Sequence, residues 1–334
     1  MSASSHPVML RMTAPARDVF DVPYHELGPA SGAPAAALVA GIHGNELNGI
    51  FVLARLASFL RRIAEGERAG VRLLRRVLLV PAVNVLGVNL RSRRWPFDGT
   101  DVNRMFPGYG LGETTQRIAA AVLERTAGAE HRLDLHSSNL DFEELPQVRL
   151  YEATDGAREA AGWLGLPAVV ELRGNPTFTT TLGHAWRQLP GVSLVVQAGQ
   201  AGVLQGPHCE RLFRGLLAYL VRIGAVAGLA LPSLPDEETH RFGPRQAFPV
   251  FADHAGWFVP RVEVGRWLPA GATLGFVYDG FDGELRAEVR APVAGLLTGI
   301  RRSPLLYQGD LVARLHTTAE HEAVADTFLH GHGQ

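Results

Sequence analysis

The sequence predicts an α/β protein with a smaller all-β unit at its C-terminal end, and three observations carry that expectation. Strand-like and helix-like segments alternate from about residue 19 to about residue 228, the order produced by a layered sheet-and-helix architecture. Prolines and acids in Leu231-Pro232-Ser233-Leu234-Pro235-Asp236-Glu237-Glu238 then break the alternation as a linker does. Beyond it, 248–315 consists of short β-prone runs punctuated by glycines from Gly256 to Gly309, turn signals that read as a small barrel or sandwich. The expected organisation is a main domain over 1–230, a linker over 231–247, a β domain over 248–316 and a tail over 317–334. The tail is rich in His, Glu and Ala and reads as a frayed helix or a disordered end.

The elements follow in order. The continuous apolar run 35–40 reads as a buried strand, and 47–60 carries the 3.6-residue apolar period of a helix. A second apolar strand spans 77–83 and ends at Asn84, and 114–126 is helix-like. Strands follow at 132–135 and 193–196, and a helix-like stretch at 209–226.

Two of these junctions carry chemistry. Gly41-Ile42-His43-Gly44-Asn45-Glu46 sits where a strand turns into a helix, and Asp134-Leu135-His136-Ser137-Ser138 ends another strand. Open α/β sheets place ligands at that carboxyl edge. Gly41 and Gly44 permit the tight turn that brings both side chains to one point. Two imidazoles and a carboxylate are a known catalytic zinc set, three protein ligands with the fourth position left for water. Such a site lets water ionise near neutral pH. Asp134 reads as the partner that orients His136 rather than as a ligand. One His-x-x-Glu alone is more often a surface pair at a helix start; a second strand-end His shifts the balance toward metal.

These two motifs, with Asp101-Val102-Asn103-Arg104-Met105-Phe106-Pro107-Gly108 between them, resemble the succinylglutamate desuccinylase and aspartoacylase family of zinc hydrolases, related to the M14 carboxypeptidases. The resemblance extends through Leu145-Pro146-Gln147-Val148-Arg149 and Ser193-Leu194-Val195-Val196 to the β-rich C-terminal part. It implies a carboxypeptidase-like mixed sheet flanked by helices, one zinc per chain, and cleavage of an acyl group from an amino acid or small amine. It further implies His43, Glu46 and His136 as zinc ligands, and Arg93 as the group that polarises the scissile carbonyl, with Arg94 beside it leaving the register open by one. Asn103 and Arg104 match the pair that grips a substrate carboxylate, which a guanidinium does with two parallel hydrogen bonds.

Two departures from the family stand out. Where members carry a Glu in a strand-end Glu-x-Gly, taking a proton from the attacking water and passing it to the leaving amine, this chain reads Val196-Gln197-Ala198-Gly199-Gln200. Glutamine can orient a water but cannot accept a proton, and general acid–base catalysis contributes ~10²–10⁴-fold. Either turnover is slow, or another carboxylate serves, Glu171 and Glu210 being the nearest in sequence. The alternative is a metal-binding relative that has become a carboxylate-binding or sensor module. The second departure is at Thr180-Thr181-Leu182-Gly183, where relatives acting on acidic N-acyl amino acids have an Arg. Arg187 could compensate; otherwise a neutral acyl group fits better.

Composition narrows the classes. The 334 residues are 46% hydrophobic with a net charge of −1 and no basic block, so nucleic acid is not an expected partner. The 32 basic side chains are all Arg, which removes Schiff-base, P-loop and lysine-carrier chemistries. The pattern Ala291-Pro292-Val293-Ala294-Gly295 with Gln308-Gly309-Asp310 looks like a lipoyl-type half-barrel; without lysine its expected roles are shielding the site or forming homo-oligomers. One cysteine, Cys209, excludes an internal disulfide. No secretion signal opens the chain and no stretch approaches the roughly 20 apolar residues of a membrane span, so a cytoplasmic enzyme acting on a small carboxylate-bearing substrate is expected.

Overall fold

A computed structural model describes residues 6–14, 16, 18–174, 178–231 and 238–319. A mixed sheet dominates it. Its central order is His25–Leu27, Val77–Val80, Ala36–Ala40, His131–His136, Val192–Gly199 and Phe142–Tyr151. The four strands from Val77–Val80 to Val192–Gly199 are mutually parallel, and the strands on either side of them run antiparallel.

The apolar run at 36–40 is explained by burial on both faces, as parallel strands between helices require. Leu38 and Ala40 face one core with Leu53, Leu56 and Leu60 of the helix Leu47–Ala64 and Leu212, Leu216 and Leu220 of Gly206–Arg222. Ala37 and Val39 face the other, with Ile118 and Val122 of Thr114–Thr126 and Trp186 of Leu182–Arg187. At roughly 25 cal/mol per Å² of buried apolar surface, two such cores are the main stabilising term.

The strand expected over 77–83 is shorter. It ends at Val80, and Asn84 accepts a 2.8 Å hydrogen bond from the Gly87 amide to cap the helix Val85–Leu90.

The C-terminal segment continues the same sheet. Gly295–Arg301 pairs antiparallel with the start of Phe142–Tyr151, Gly299 opposite Glu144, and Leu311–His316 and Ala247–Phe251 follow outward. A separate four-stranded sheet of Leu285–Arg290, Thr273–Tyr278, Gly256–Pro260 and Leu305–Leu306 packs beside it around Phe258, Leu274 and Val277. Within the stretch read as linker, His240–Phe242 is a strand parallel to Ala168–Leu172, and Phe242 is buried. Its apolar side chain and partner edge outweigh the proline and acid signals that precede it. Residues 232–237 and the tail from 320 lie outside the described residues.

Candidate active site

The strand Ala36–Ala40 ends in a turn that needs both of its glycines. Gly41 has φ +62°, and a Cβ on it would lie 2.9 Å from the Ala82 Cα. A Cβ on Gly44 would lie 2.1 Å from the carbonyl carbon of Gly87, so the loop backbone packs directly on the next helix. The turn places His43 and Glu46 beside His136, which the adjacent parallel strand delivers. All three are buried, and their donor atoms lie within 4.8 Å of one another.

The hydrogen bonds around the imidazoles decide what this cluster can hold. His43 Nε2 lies 3.0 Å from Asp101 Oδ1, and His136 Nε2 lies 3.0 Å from Asp134 Oδ2. His43 Nδ1 lies 2.7 Å from Glu46 Oε1 and His136 Nδ1 2.9 Å from Glu46 Oε2; with the Nε2 protons donated to carboxylates, a cation replacing any Nδ1 proton would meet both Nδ1 lone pairs. His43 Nδ1 is buried and makes no hydrogen bond. Burial works against a charged His136, yet Asp134 and Glu46 overcome it and push its pKa up to about 10. Burial likewise opposes the charge on Glu46, but His43 and His136 hold it well below the usual carboxylate range. Three converging donors that together demand positive charge fit a divalent cation, and His₂Glu with tied outer nitrogens suits zinc. Asp134 thus lies against the outer nitrogen of His136, and Asp101, to which the sequence assigned no role, lies against that of His43.

Beside the cluster opens a cavity of about 690 Å³, the size range of small-molecule sites. Arg93 lines it beside the cluster, donating from Nη1 to Glu46 Oε1 at 2.9 Å. Asn103 Oδ1 accepts from the Leu182 amide at 2.9 Å, fixing that side chain against the helix Leu182–Arg187. The Arg104 guanidinium lies 4.7 Å over the Phe178 ring, and burial lowers its pKa from the ordinary value. Gln197 is buried, lines the cavity and is level with His136 in the parallel register. Arg187 also lines it, its Cζ 5.6 Å from the Tyr151 ring centre. Leu182 is wholly buried in the core, whereas Gly183 reaches the cavity.

Two expected carboxylates are not brought here. Glu171 is held by Arg158 Nε at 2.9 Å on the outer strand Ala168–Leu172, and Glu210 pairs with Arg55 and Arg214 on an exposed helix face. Helix and strand geometry direct both away from the His43, Glu46 and His136 cluster. In their place the cavity wall holds a group that sequence reasoning missed, Glu144 between Arg149 and Arg314. Arg314 comes from the C-terminal segment, more than 160 residues on, and no local pattern announces it.

A mixed sheet between helices, with a His, Glu, His cluster at its carboxyl edge, defines the carboxypeptidase-like class. The chain belongs to the succinylglutamate desuccinylase/aspartoacylase family, whose catalytic domain matches residues 32–223. It is 28% identical over 300 residues to the N-alpha-acetyl-L-2,4-diaminobutyric acid deacetylase of Halomonas elongata, covering 86% of this chain and 83% of that one. It is 32% identical over 201 residues to the succinylglutamate desuccinylase of Pseudomonas paraeruginosa, covering 54% and 55%. The fold matches the product-bound ectoine utilization protein EutE (DoeB) of Ruegeria pomeroyi with a TM-score of 0.74 at 23% identity, over 92% of this chain and 93% of that one. Among the described residues no helix is long and apolar enough to cross a membrane.

Proposed function

We propose that this chain is a cytoplasmic zinc-dependent deacylase that hydrolyses the amide bond of a small N-acylated amino acid or amine. The observation that carries this is the convergence of His43 Nδ1, His136 Nδ1 and the Glu46 carboxylate at the inner end of a cavity that also presents Arg93, Asn103 and Arg104. The two named relatives, a deacetylase and a desuccinylase, support the same reaction class.

One zinc held by His43, Glu46 and His136 supplies Lewis-acid polarisation and lowers the pKa of water. The chain's own groups do the rest. Arg93 offers N–H donors where negative charge develops on the carbonyl oxygen, a contribution realised mainly in the transition state. Asn103 and Arg104 hold the substrate carboxylate, Arg104 through a planar fork already steadied on Phe178. Gln197 orients a water through its amide oxygen but takes no proton, so the water's proton passes to solvent or the leaving amine without a positioned base, and turnover is slow.

A second reading keeps the same pocket as a carboxylate-binding module without turnover, and Gln197 is the observation that favours it. Incubating the zinc-loaded protein with N-acetyl, N-formyl and N-succinyl amino acids and assaying free amine separates the two. Zinc-dependent release of amine from one of them is expected. Binding without release from any establishes the second reading.

A further inference from the structure

We infer that Asn48 and Gln205 are positioning residues for Gln197, a reciprocal pair that locks the strand end carrying Gln197 against the helix that begins beside Glu46. This rests on the deacylase reading for what Gln197 does to a water, but not for the pair itself.

The sheet alone does not finish the strand Val192–Gly199. Its parallel pairing with His131–His136 ends at Gln197 opposite His136, and its antiparallel pairing with Phe142–Tyr151 slips between Gln197 and Gly199. A bulge of this kind disrupts the ladder locally, so the peptides that follow Gln197 need other partners. Asn48, wholly buried in the first turn of Leu47–Ala64, provides one, its Nδ2 donating to the Ala198 carbonyl at 3.2 Å. Gln205, which immediately precedes the helix Gly206–Arg222, provides the next, its Oε1 accepting the Gln200 amide at 2.8 Å. The backbone amide of Ser138, just beyond His136, donates to the Gly199 carbonyl at 3.0 Å.

The two residues then hold each other. Asn48 Nδ2 also donates to Gln205 Oε1 at 3.2 Å, and the Gln205 backbone amide donates to Asn48 Oδ1 at 2.9 Å. Gly199, at φ +72°, makes the room, since a Cβ there would collide with Gln205 Oε1 and Asn48 Nδ2. The buried Cys209 thiol, 3.4 Å from Asn48 Oδ1, adds a weak donor to the same oxygen.

The segments that carry Glu46, His136 and Gln197 are thereby tied together at one strand end. Gln197 lines the cavity, whereas neither Asn48 nor Gln205 does. The pair therefore acts through Gln197, and being uncharged it sets geometry without adding to the field at the His43, Glu46 and His136 cluster. A water-orienting amide needs that constraint, because misplacement by about 1 Å can cost ~10²-fold in rate.

The roles of the two side chains are unequal, and the difference provides the test. Asn48 Nδ2 must donate, whereas Gln205 Oε1 only accepts, from Asn48 and from Gln200. Gln205→Met keeps the length of the side chain and removes the acceptor; Gln205→Glu keeps an acceptor in the same place. The first readout is the Gln197 side-chain amide signal in NMR spectra of zinc-loaded protein labelled with ¹⁵N at glutamine, identified by its loss in Gln197→Ala. Gln205→Met is expected to shift or broaden that signal while leaving most other glutamine signals in place, and Gln205→Glu to restore it. The second readout is amine release, in which Gln205→Met should lower kcat by up to about 100-fold with KM held within about twofold, and Gln205→Glu should recover kcat.

Asn48→Leu should reproduce Gln205→Met. If so buried a substitution does not fold, the two variants of the half-buried Gln205 make the comparison by themselves. An unmoved Gln197 signal in Gln205→Met overturns the inference. A general displacement of glutamine signals, or a joint change of kcat and KM, does so too, since either marks a purely structural role. So does Gln205→Glu behaving as Gln205→Met. The spectra need no turnover, so they decide the matter even where no substrate releases amine, which is the separate failure of the deacylase reading.

Discussion

Asp101 Oδ1 lies 3.0 Å from His43 Nε2 and accepts the Asn103 amide at 2.8 Å, so one carboxylate oxygen joins an imidazole of the His43, Glu46 and His136 cluster to the segment that carries Asn103 and Arg104. Partners of this kind typically change metal affinity 10–100-fold. Asp101→Ala is expected to weaken zinc binding by about that factor and also to weaken ligand binding by displacing Asn103 and Arg104. Chelator competition and calorimetry read the two effects; unchanged values in both would remove Asp101 from the site.

Zinc content should follow the three donors. Purified protein is expected to hold close to one zinc per chain, and His136→Ala to fall to background by elemental analysis. Dialysis against a strong chelator should remove both the zinc and any amine release, with zinc restoring them. Full occupancy in His136→Ala would sink the ligand assignment.

Replacing Gln197 restores a proton acceptor level with His136. Gln197→Glu is expected to raise kcat by up to ~10²–10⁴-fold, the usual worth of general acid–base catalysis. If the wild type already turns over at ordinary enzyme rates and the variant is no faster, another group is the base. Glu144 is then the carboxylate to test, since Glu171 and Glu210 point elsewhere.

Arg104→Ala should cost ~2–5 kcal/mol of binding to N-acyl amino acids, as removal of one partner from a desolvated charged pair does. The carboxamide analogues should bind the wild type as weakly as the acids bind the variant. Equal binding of acid and amide to the wild type would show that this end of the cavity does not read a carboxylate.

Acid stability depends on His316. Burial first, then Arg314 and Arg149, lower its pKa from 6.5 to about 3. Between those values the unfolded chain takes up a proton that the folded one refuses. Its contribution is therefore intact above pH 6.5 and is lost as pH falls, by about 1.4 kcal/mol per pH unit. Denaturant titrations from pH 7 to 4.5 should show wild type losing stability more steeply than His316→Asn. Parallel curves would mean that His316 titrates normally.

The α/β architecture and the His43, Glu46, His136 cluster were legible because both rest on local patterns. An apolar run buried on two faces marks Ala36–Ala40, and a glycine-framed strand end marks each motif. Asp134 was readable too, two residues from His136 and so on the same face of its strand. The groups that escaped notice depend on long-range register. Arg314 meets Glu144 only because Gly295–Arg301 is laid between their strands, and Asp101 meets His43 only because a loop folds back across the sheet edge. The strand His240–Phe242 was hidden for the same reason, its partner lying some 70 residues earlier.

That shared sheet separates two kinds of heredity within one pocket. The part of the chain matched by the family's catalytic domain ends at residue 223, yet Arg301, Tyr307 and Arg314 of the cavity wall lie beyond it. The His43, Glu46 and His136 cluster and the far wall of the cavity can thus diverge at different rates, the former tied together by mutual contact, the latter free to change strand by strand. Cutting the chain after the helices would not release a smaller enzyme. It would bare the edge at 142–144 and that at 168–170, open templates for other chains, and leave Glu144 with half of its cationic company.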